Sequence, residues 1–543
     1  MICNIAQKEK SIIKAWGDYI YFQCPRGLLF FLFCFLFSPV GAQPWAKKAS
    51  QAVFTLKTFK ADGSLLSSAN GFFISEQGEA VSPFTPFKGA QRAVVIDAQG
   101  KEWPVDCIMG ANGIYDVAKF QVAVKKAAVL TLAATPASNG STVWLLPYSA
   151  KKAPACQQGT VSQTQDFEGK YAFYTLSMQT TEQYAGCPVL NDDGQVLGIL
   201  QPSASATETS SYAVSANYAN AQHVSSFSMN DPTLQQTSIP KALPEKQDEA
   251  LLTLLMASSS MTAEQFEQLV ERFIAKFPQV ADGYIYRART HVDKGEFAAA
   301  EEDMRQALKV SDAPDNTHYQ YAQLIYQKVV YQTDKPYESW TLERALQESQ
   351  EAYHIKPEPV YRLQQAQLLY AMQKYADAYA IYEELQQGPL RNAENFYAAA
   401  QCKIQLDDKK AALALLDSAL VTFSKPYVKT AAPYLRLHAQ LSMDCRRYQL
   451  AINDMQDLVT LEPANAELWA EKASYELRVS LTDQALASAE ECIRLAPDNS
   501  SGYLLLGIAQ CIKGLKQDGL QNLTKAKELG DSQAQKFIDK YSN

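Results

Sequence analysis

The chain has 543 residues, 47% apolar, 20% charged and 11% aromatic, which is the composition of a folded protein of several domains and excludes a disordered or collagen-like polymer. The formal charge of −8 and the pI near 5.4 argue against nucleic acid as a partner. Only five His are present, His223, His291, His318, His354 and His438, so any His-dependent chemistry must draw on one of them.

Residues 27–37 read GLLFFLFCFLF, preceded by Arg26 and followed by Ser38-Pro39-Val40-Gly41-Ala42. A basic flank, a short apolar core and small residues at a cleavage point are the layout of a secretory signal peptide, and the run falls short of the roughly 20 apolar residues a bilayer span needs. Cleavage after Ala42 is expected, leaving no stable transmembrane span and an exported, periplasmic or secreted protein of the Gram-negative envelope type. It removes four basic and two acidic residues, moving the charge from −8 to −10, and leaves seven Cys. None of these has C-x-x-C spacing or a nearby His, so no metal site and no cofactor are expected.

From Ala52 to about Asn230 the apolar residues come in short runs, among them AVFTLKTF, RAVVIDA, STVWLLP, YAFYTL and QVLGIL, separated by turn clusters such as Asn191-Asp192-Asp193-Gly194. Short strands with frequent turns and no helical period predict an all-β domain over residues 43–230. Three patterns recur in order: Gly71-Phe72-Phe73-Ile74 with Gly78 and Ala80-Val81, then Ile114-Tyr115-Asp116-Val117-Ala118, then Ala185-Gly186-Cys187-Pro188-Val189 followed by Asp193-Gly194-Gln195-Val196-Leu197-Gly198-Ile199. Together with Tyr212-Ala213-Val214-Ser215-Ala216 they resemble the trypsin-like serine peptidases of the HtrA type, over about 170 residues. The resemblance implies a double β-barrel and puts the family's base His on Thr85, its acid on Asp116 and its nucleophile on Ala185.

A Ser-His-Asp site needs a hydroxyl that attacks and an imidazole that takes its proton. Ala185 offers no nucleophile and Thr85 no base near neutrality, and the one His of this domain, His223, lies downstream of the Ala185 segment where the family requires it upstream of the Asp. Gln183 stands where the family has a Gly whose N–H holds the developing anion. The expectation is therefore a pseudopeptidase with no catalytic residues. An active serine endopeptidase is the alternative and needs another nucleophile, such as Ser82, Ser177 or Cys187. Cys187 either packs as a small apolar residue or pairs with Cys156.

Residues 231–250 are polar, contain Pro232, Pro240 and Pro244, and read as a semi-rigid linker. From residue 251 to 543 an all-α region is predicted, with self-similarity near 34 residues: repeats begin at Ala281, Asp315, Pro359, Ala393, Ala432, Ala466 and Ser500, the second carrying an insertion around Tyr331 to Ser339. The eighth position of each is small (Ala288, Ala322, Ala366, Ala400, Ala439, Ala473, Gly507), and so is a second position later in each repeat. Small residues at two fixed points let paired helices cross closely.

This pattern resembles the tetratricopeptide repeat (TPR) family from Ala281 onward, which implies a superhelical solenoid whose concave face binds a protein or peptide. The resemblance turns the ninth position inward: Arg289, Gln323, Gln367, Gln401 and Gln440, flanked by Tyr319, Tyr326, Tyr370 and Tyr397. Amides and phenols suit an extended, uncharged ligand. The whole reads as an exported binding or scaffold protein; a holdase-like chaperone for exported proteins shares the same architecture.

Overall fold

The computed structural model describes residues 43–150, 155–202 and 209–542; the signal segment expected over residues 1–42 lies outside them. The chain divides into two units between Ala257 and Ser258.

The first unit is a trypsin-like double barrel. After a short helix α1 (Ala46–Ala49), strands β1 (Val53–Phe59), β2 (Leu65–Phe73), β3 (Glu79–Ser82), β4 (Arg92–Ile96), β5 (Glu102–Asn112) and β6 (Val117–Val122) close in the order β1-β2-β3-β6-β5-β4. Strands β7 (Thr142–Leu145), β8 (Gln157–Phe167), β9 (Tyr171–Leu176), β10 (Pro188–Leu190), β11 (Val196–Leu200) and β12 (Ser211–Ser215) repeat that order as β7-β8-β9-β12-β11-β10. All ladders are antiparallel, and closure removes the exposed edges that six strands would otherwise present.

Alternation sends the apolar residues of each strand to one of two places. In β1, Phe54 and Leu56 point into the first barrel, where Phe54 meets Phe73 edge-on at 4.8 Å and Phe87 meets Phe120 at 5.1 Å. Val53, Phe72, Val81 and Val117 point the other way and join Leu190, Val196, Ile199 and Val214 in a layer between the barrels. The second barrel fills with Leu145, Tyr174, Leu176, Val189 and Leu200. Strands β10 and β11 are thus buried on both faces and read as continuous apolar runs, whereas β8 alternates buried and exposed residues.

The segment expected as a linker is instead a strap on the first barrel. Leu234 and Ile239 are buried in its core. The carbonyl of Pro240 accepts from Ile108 N–H at 2.8 Å, Ala242 N–H returns a bond to Ile108 O at 2.8 Å, and Ser238 N–H donates to Ala90 O at 3.0 Å. Proline cannot donate to a ladder but its carbonyl still accepts, so a Pro-rich stretch pairs along one edge without being a regular strand. Helix α2 (Gln247–Ala257), expected in the repeat region from residue 251, also belongs to the first unit.

The second unit is helical. A single helix α3 (Ala263–Lys276) precedes seven antiparallel pairs: α4 (Ala281–Lys294) with α5 (Phe297–Val310), α6 (Pro314–Tyr331) with α7 (Leu342–Ile355), α8 (Pro359–Ala371) with α9 (Tyr375–Leu385), α10 (Ala393–Gln405) with α11 (Lys409–Val421), α12 (Ala432–Asp444) with α13 (Tyr448–Leu461), α14 (Ala466–Arg478) with α15 (Thr482–Leu495), and α16 (Ser500–Ile512) with α17 (Lys516–Glu528). Helix α18 (Ala534–Ser542) closes the series. The small residues lie where helices cross: Ala288, Ala366, Ala439 and Ala473 are fully buried, and a Cβ on Gly507 would come within 2.8 Å of Gly519 O.

Six of the seven pairs turn through one left-handed residue, namely Gly295, Gln373, Asp407, Arg446, Ser480 and Gly514. In each, the N–H of the following residue reaches back to the carbonyl five residues earlier, as from Leu481 to Glu476 at 2.8 Å. That bond satisfies a carbonyl the helix end leaves open. The second pair departs because of its insertion, which packs Tyr337 and Trp340 against Phe297 at 5.8 and 5.9 Å.

Candidate functional site

Three loops of the first unit carry the positions singled out in the sequence. Thr85 opens a 3-10 turn, Thr85–Phe87, just after β3; Asp116 ends the β5–β6 turn with φ of 51°; and Ala185 follows a second 3-10 turn, Glu182–Tyr184. The β5–β6 turn places the Asp116 carboxylate on the β3 turn, where its Oδ1 accepts from the backbone N–H of Thr85 at 2.6 Å, and Phe84 N–H donates to the Asp116 carbonyl at 3.3 Å. The Thr85 side chain is exposed, so the carboxylate is engaged by the main chain and by no imidazole.

The Ala185 loop is held by Asn70 of β2. Asn70 N–H donates to Ala185 O at 2.9 Å, and its Nδ2 donates to Gln183 O at 2.7 Å and to Ala185 O at 3.2 Å. Gly186 has φ of 82°, and a Cβ there would lie 2.0 Å from Asn70 O and 2.6 Å from Cδ of Pro83. Only glycine permits so close an approach, which packs the Ala185 loop onto the turn that leads to Thr85. The structure therefore brings the Thr85, Asp116 and Ala185 segments to one place.

Three backbone donors of the loop, that of Ala185 among them, are already committed. Ala185 N–H donates to Glu182 O at 2.9 Å, Gly186 N–H to Leu200 O at 2.8 Å and Cys187 N–H to Tyr184 O at 3.0 Å. An oxyanion hole needs N–H groups aimed at an empty position. This 3-10 turn folds the Ala185 donor back on itself, a closure that residue types alone did not signal beyond the side chain at Gln183.

The other candidate nucleophiles sit in three different settings. The buried Ser82 hydroxyl donates to Pro83 O at 2.9 Å, and Ser177 lies exposed beyond β9. Cys187 is fully buried in the second barrel, where burial pushes its thiol up to about 12. It is a free thiol, as is Cys156, which packs with the separate layer between the barrels. The pairing of Cys156 with Cys187 is thereby corrected: Cys187 points into a barrel interior that Cys156 does not enter. His223 is exposed, with Nδ1 2.9 Å from Ala221 O. Among the described residues no group of three or more His, Cys, Asp or Glu is placed to hold a metal ion, and no helix is long and apolar enough to cross a membrane.

In the helical unit, Arg289, Gln323, Gln367 and Gln440 are exposed and Gln401 is half-buried. Part of this row is occupied internally: Gln323 Nε2 donates to the Tyr319 hydroxyl at 3.1 Å, and Arg289 donates to Gln320 across to α6. Tyr326 packs on Tyr331, Tyr370 on Tyr375 and Tyr397 on Tyr434. At the C-terminal end the row gives way to a cavity of about 730 Å³ between α14, α16 and α18. Ser474 and Ile508, the ninth positions of the last two repeats, both line it. The sequence signal was the break in the Gln row and the Phe537–Tyr541 spacing on α18.

This arrangement defines a class of protein: a trypsin-like double barrel joined to a helical repeat unit. Residues 69–199 match the sequence model of the trypsin-like peptidase domain. Among relatives, the "Small glutamine-rich tetratricopeptide repeat-containing protein 2" of Saccharomyces cerevisiae is 30% identical over 105 residues, which cover 19% of this chain and 30% of that protein. The chain thus spans about a third of that relative's length. Among solved structures, the Rv3671c protease from M. tuberculosis in its active form is 19% identical, with a TM-score of 0.29 over 33% of this chain and 82% of that one. Its inactive form is also 19% identical, with a TM-score of 0.27 over 33% and 91% of the two chains.

Proposed function

We propose that the chain is an exported binding or scaffold protein whose trypsin-like unit has lost peptidase activity and whose helical groove receives a protein or peptide partner. The observation that carries this reading is the Ala185 loop. A methyl group stands at the nucleophile position, its own N–H is bonded to Glu182 O at 2.9 Å, and Asp116 is engaged by the Thr85 amide. Attack and proton transfer each lack their side chain and the Ala185 N–H is turned to Glu182 rather than to an anion, and loss of one such group alone costs orders of magnitude in rate. Export is supported by the order of Arg26, the apolar run and Ala42. The partner role is supported by the exposed amides of Gln367 and Gln440 on a repeat scaffold.

Purified protein incubated with casein and a fluorophosphonate probe is expected to give neither cleavage nor label; either one, surviving removal of contaminating proteases, overturns the loss of activity. For the groove, a pull-down from an envelope fraction with Gln367→Ala/Gln401→Ala protein is expected to lose partners that the unmodified chain retains. Retention of every partner refutes the Gln row as a recognition surface.

A further inference from the structure

The cavity at the end of the helical unit differs in chemistry from the amide row that leads to it. Its apolar wall is formed by Leu477, Leu504, Ile508, Ile512, Phe537 and Tyr541. Leu504 and Ile508 belong to a buried cluster that also takes Leu477, Phe537 and Tyr541, whereas Ile512 stays 52% exposed. Helix α18 therefore does more than cover the last pair: its Phe537 and Tyr541, stacked at 6.5 Å, extend the apolar wall. A volume of about 730 Å³ lies within the roughly 300–1,000 Å³ range of sites that enclose a ligand.

The charges around it are sorted. Glu471 is paired with Arg436, and Asp531 caps α18 by accepting from Gln533 and Ala534 N–H at 2.8 and 3.1 Å. Glu467 is exposed in the first turn of α14, where the helix dipole favours a carboxylate. The two cations have no carboxylate partner among the described residues: Arg478 lies over the Tyr475 ring at 6.0 Å, and Lys540 sits 4.9 Å from Tyr541 and 5.9 Å from Phe537. Both are exposed and both line the cavity. Both cations are thus available to a carboxylate that enters beside the apolar wall.

We infer that this cavity is the anchor point of the partner: it takes a peptide segment in which large apolar side chains are followed directly by a carboxylate, the side chains entering between Ile508 and Phe537 and the carboxylate pairing with Arg478 and Lys540. The inference rests on the reading of the helical unit as a partner-binding surface and fixes where and by what chemistry the partner is held. Charge-assisted hydrogen bonds to a carboxylate give direction to an otherwise non-directional apolar contact.

The test uses the full chain and fluorescein-labelled hexapeptides read by polarisation: one with Leu-Phe followed by Asp, one with Asp replaced by Lys, and one with Leu-Phe replaced by Ser-Ser. The first is expected to bind at least about tenfold more tightly than either control, the size of one well-made charge-assisted contact. Arg478→Glu/Lys540→Glu, at two exposed positions, is expected to reverse the preference toward the Lys peptide. Ile512→Asp, also exposed, is expected to weaken the Leu-Phe-Asp peptide most, by loss of apolar wall and by repulsion of its carboxylate, with unchanged circular dichroism in every variant. Equal binding of the Asp and Lys peptides, or a charge-swapped protein with the original preference, overturns the inference. So does self-association of the chain, seen by sedimentation and abolished by Ile512→Asp, which makes the occupant a second copy. If pull-down partners depend on Gln367 and Gln401 while the peptides show no selectivity, the binding role stands and this anchor falls.

Discussion

His438 on α12 makes the sharpest prediction in the helical unit. It is buried, with Nδ1 2.6 Å from Asp454 Oδ2 on α13 and Nε2 3.0 Å from Asp417 Oδ1 on α11. Facing a carboxylate at both nitrogens, the ring is an imidazolium that ties three helices of two repeats. Burial pulls its pKa down, but the hydrogen bond and charge of Asp454, with the charge of Asp417, outweigh this and raise it above the usual 6.5. A raised folded-state value means that its stabilisation is complete below about pH 6.5 and is lost as pH rises through the folded value, at up to about 1.4 kcal/mol per pH unit in that window. His438→Gln leaves the buried Asp454 without its cation, a loss of about 3–5 kcal/mol, whereas the Asp417 side chain, 59% exposed, contributes under about 1 kcal/mol. Hydrogen exchange of the full chain, followed over α11 to α13 between pH 6 and 9 and corrected for intrinsic rates, is the assay. Protection in the unmodified chain is expected to fall across that range, and the variant to be low throughout and flat. Parallel profiles for the two proteins, or a loss below about 1 kcal/mol, refute the bridged imidazolium.

Four further outcomes follow from particular contacts. Asn70→Ala removes the side-chain bonds to Gln183 and Ala185 and is expected to cost about 1–3 kcal/mol in urea unfolding and to speed exchange over residues 181–187; unchanged exchange there means that Asn70 does not hold the loop. Gly186→Ala forces a Cβ to within 2.0 Å of Asn70 O at φ of 82°, so a loss of about 3 kcal/mol or more, or failure to accumulate folded, is expected, and a neutral result refutes the close approach. Thr85→His/Ala185→Ser restores both side chains but leaves the Ala185 N–H turned to Glu182, so the double variant is expected to take no fluorophosphonate label; labelling shows that the turn opens freely. Ser480→Gly relieves a left-handed residue at φ of 64° and is expected to add about 1 kcal/mol, seen as a rise in Tm, with no rise refuting strain at that turn.

What was legible in the sequence is what repeats or alternates. The runs around Phe54, Val94 and Ile199 name strands because a closed barrel buries them whatever their partners, and the small residues at Ala288 and Ala473 mark helix crossings because nothing larger fits there. The strap around Leu234 and Ile239 was not legible: its prolines and polar residues read as a linker, and only the geometry of Ile108 shows that a Pro240 carbonyl serves as well as any other acceptor. The same limit applied to the site. Residue types at Thr85 and Ala185 carry the expectation of a missing base and nucleophile, but whether the Ala185 amide is free depends on how a 3-10 turn closes, and no residue type encodes that closure. The cavity was hidden for a different reason, since its walls come from α14, α16 and α18, and Ile508 reads alone as a core residue until Phe537 is set beside it.

The two units differ in what a substitution has to overcome. In the barrel unit the Ala185 segment is tied to Asn70 by both its main chain and its side chain, and to Pro83 through a glycine that admits no Cβ, so replacing side chains alone leaves the backbone where it is. In the helical unit the crossings are fixed by fully buried alanines, whereas Gln367, Gln440 and Arg478 are exposed and can change without disturbing the scaffold. On the proposed reading, recognition is adjustable in the second unit by single exposed residues, whereas peptidase chemistry in the first would need a side-chain base, a side-chain nucleophile and a reopened turn together. That asymmetry is the physical argument for the proposed binding role: a charge swap is expected to change ligand preference in one unit, and restoring two side chains in the other is expected to leave it inert.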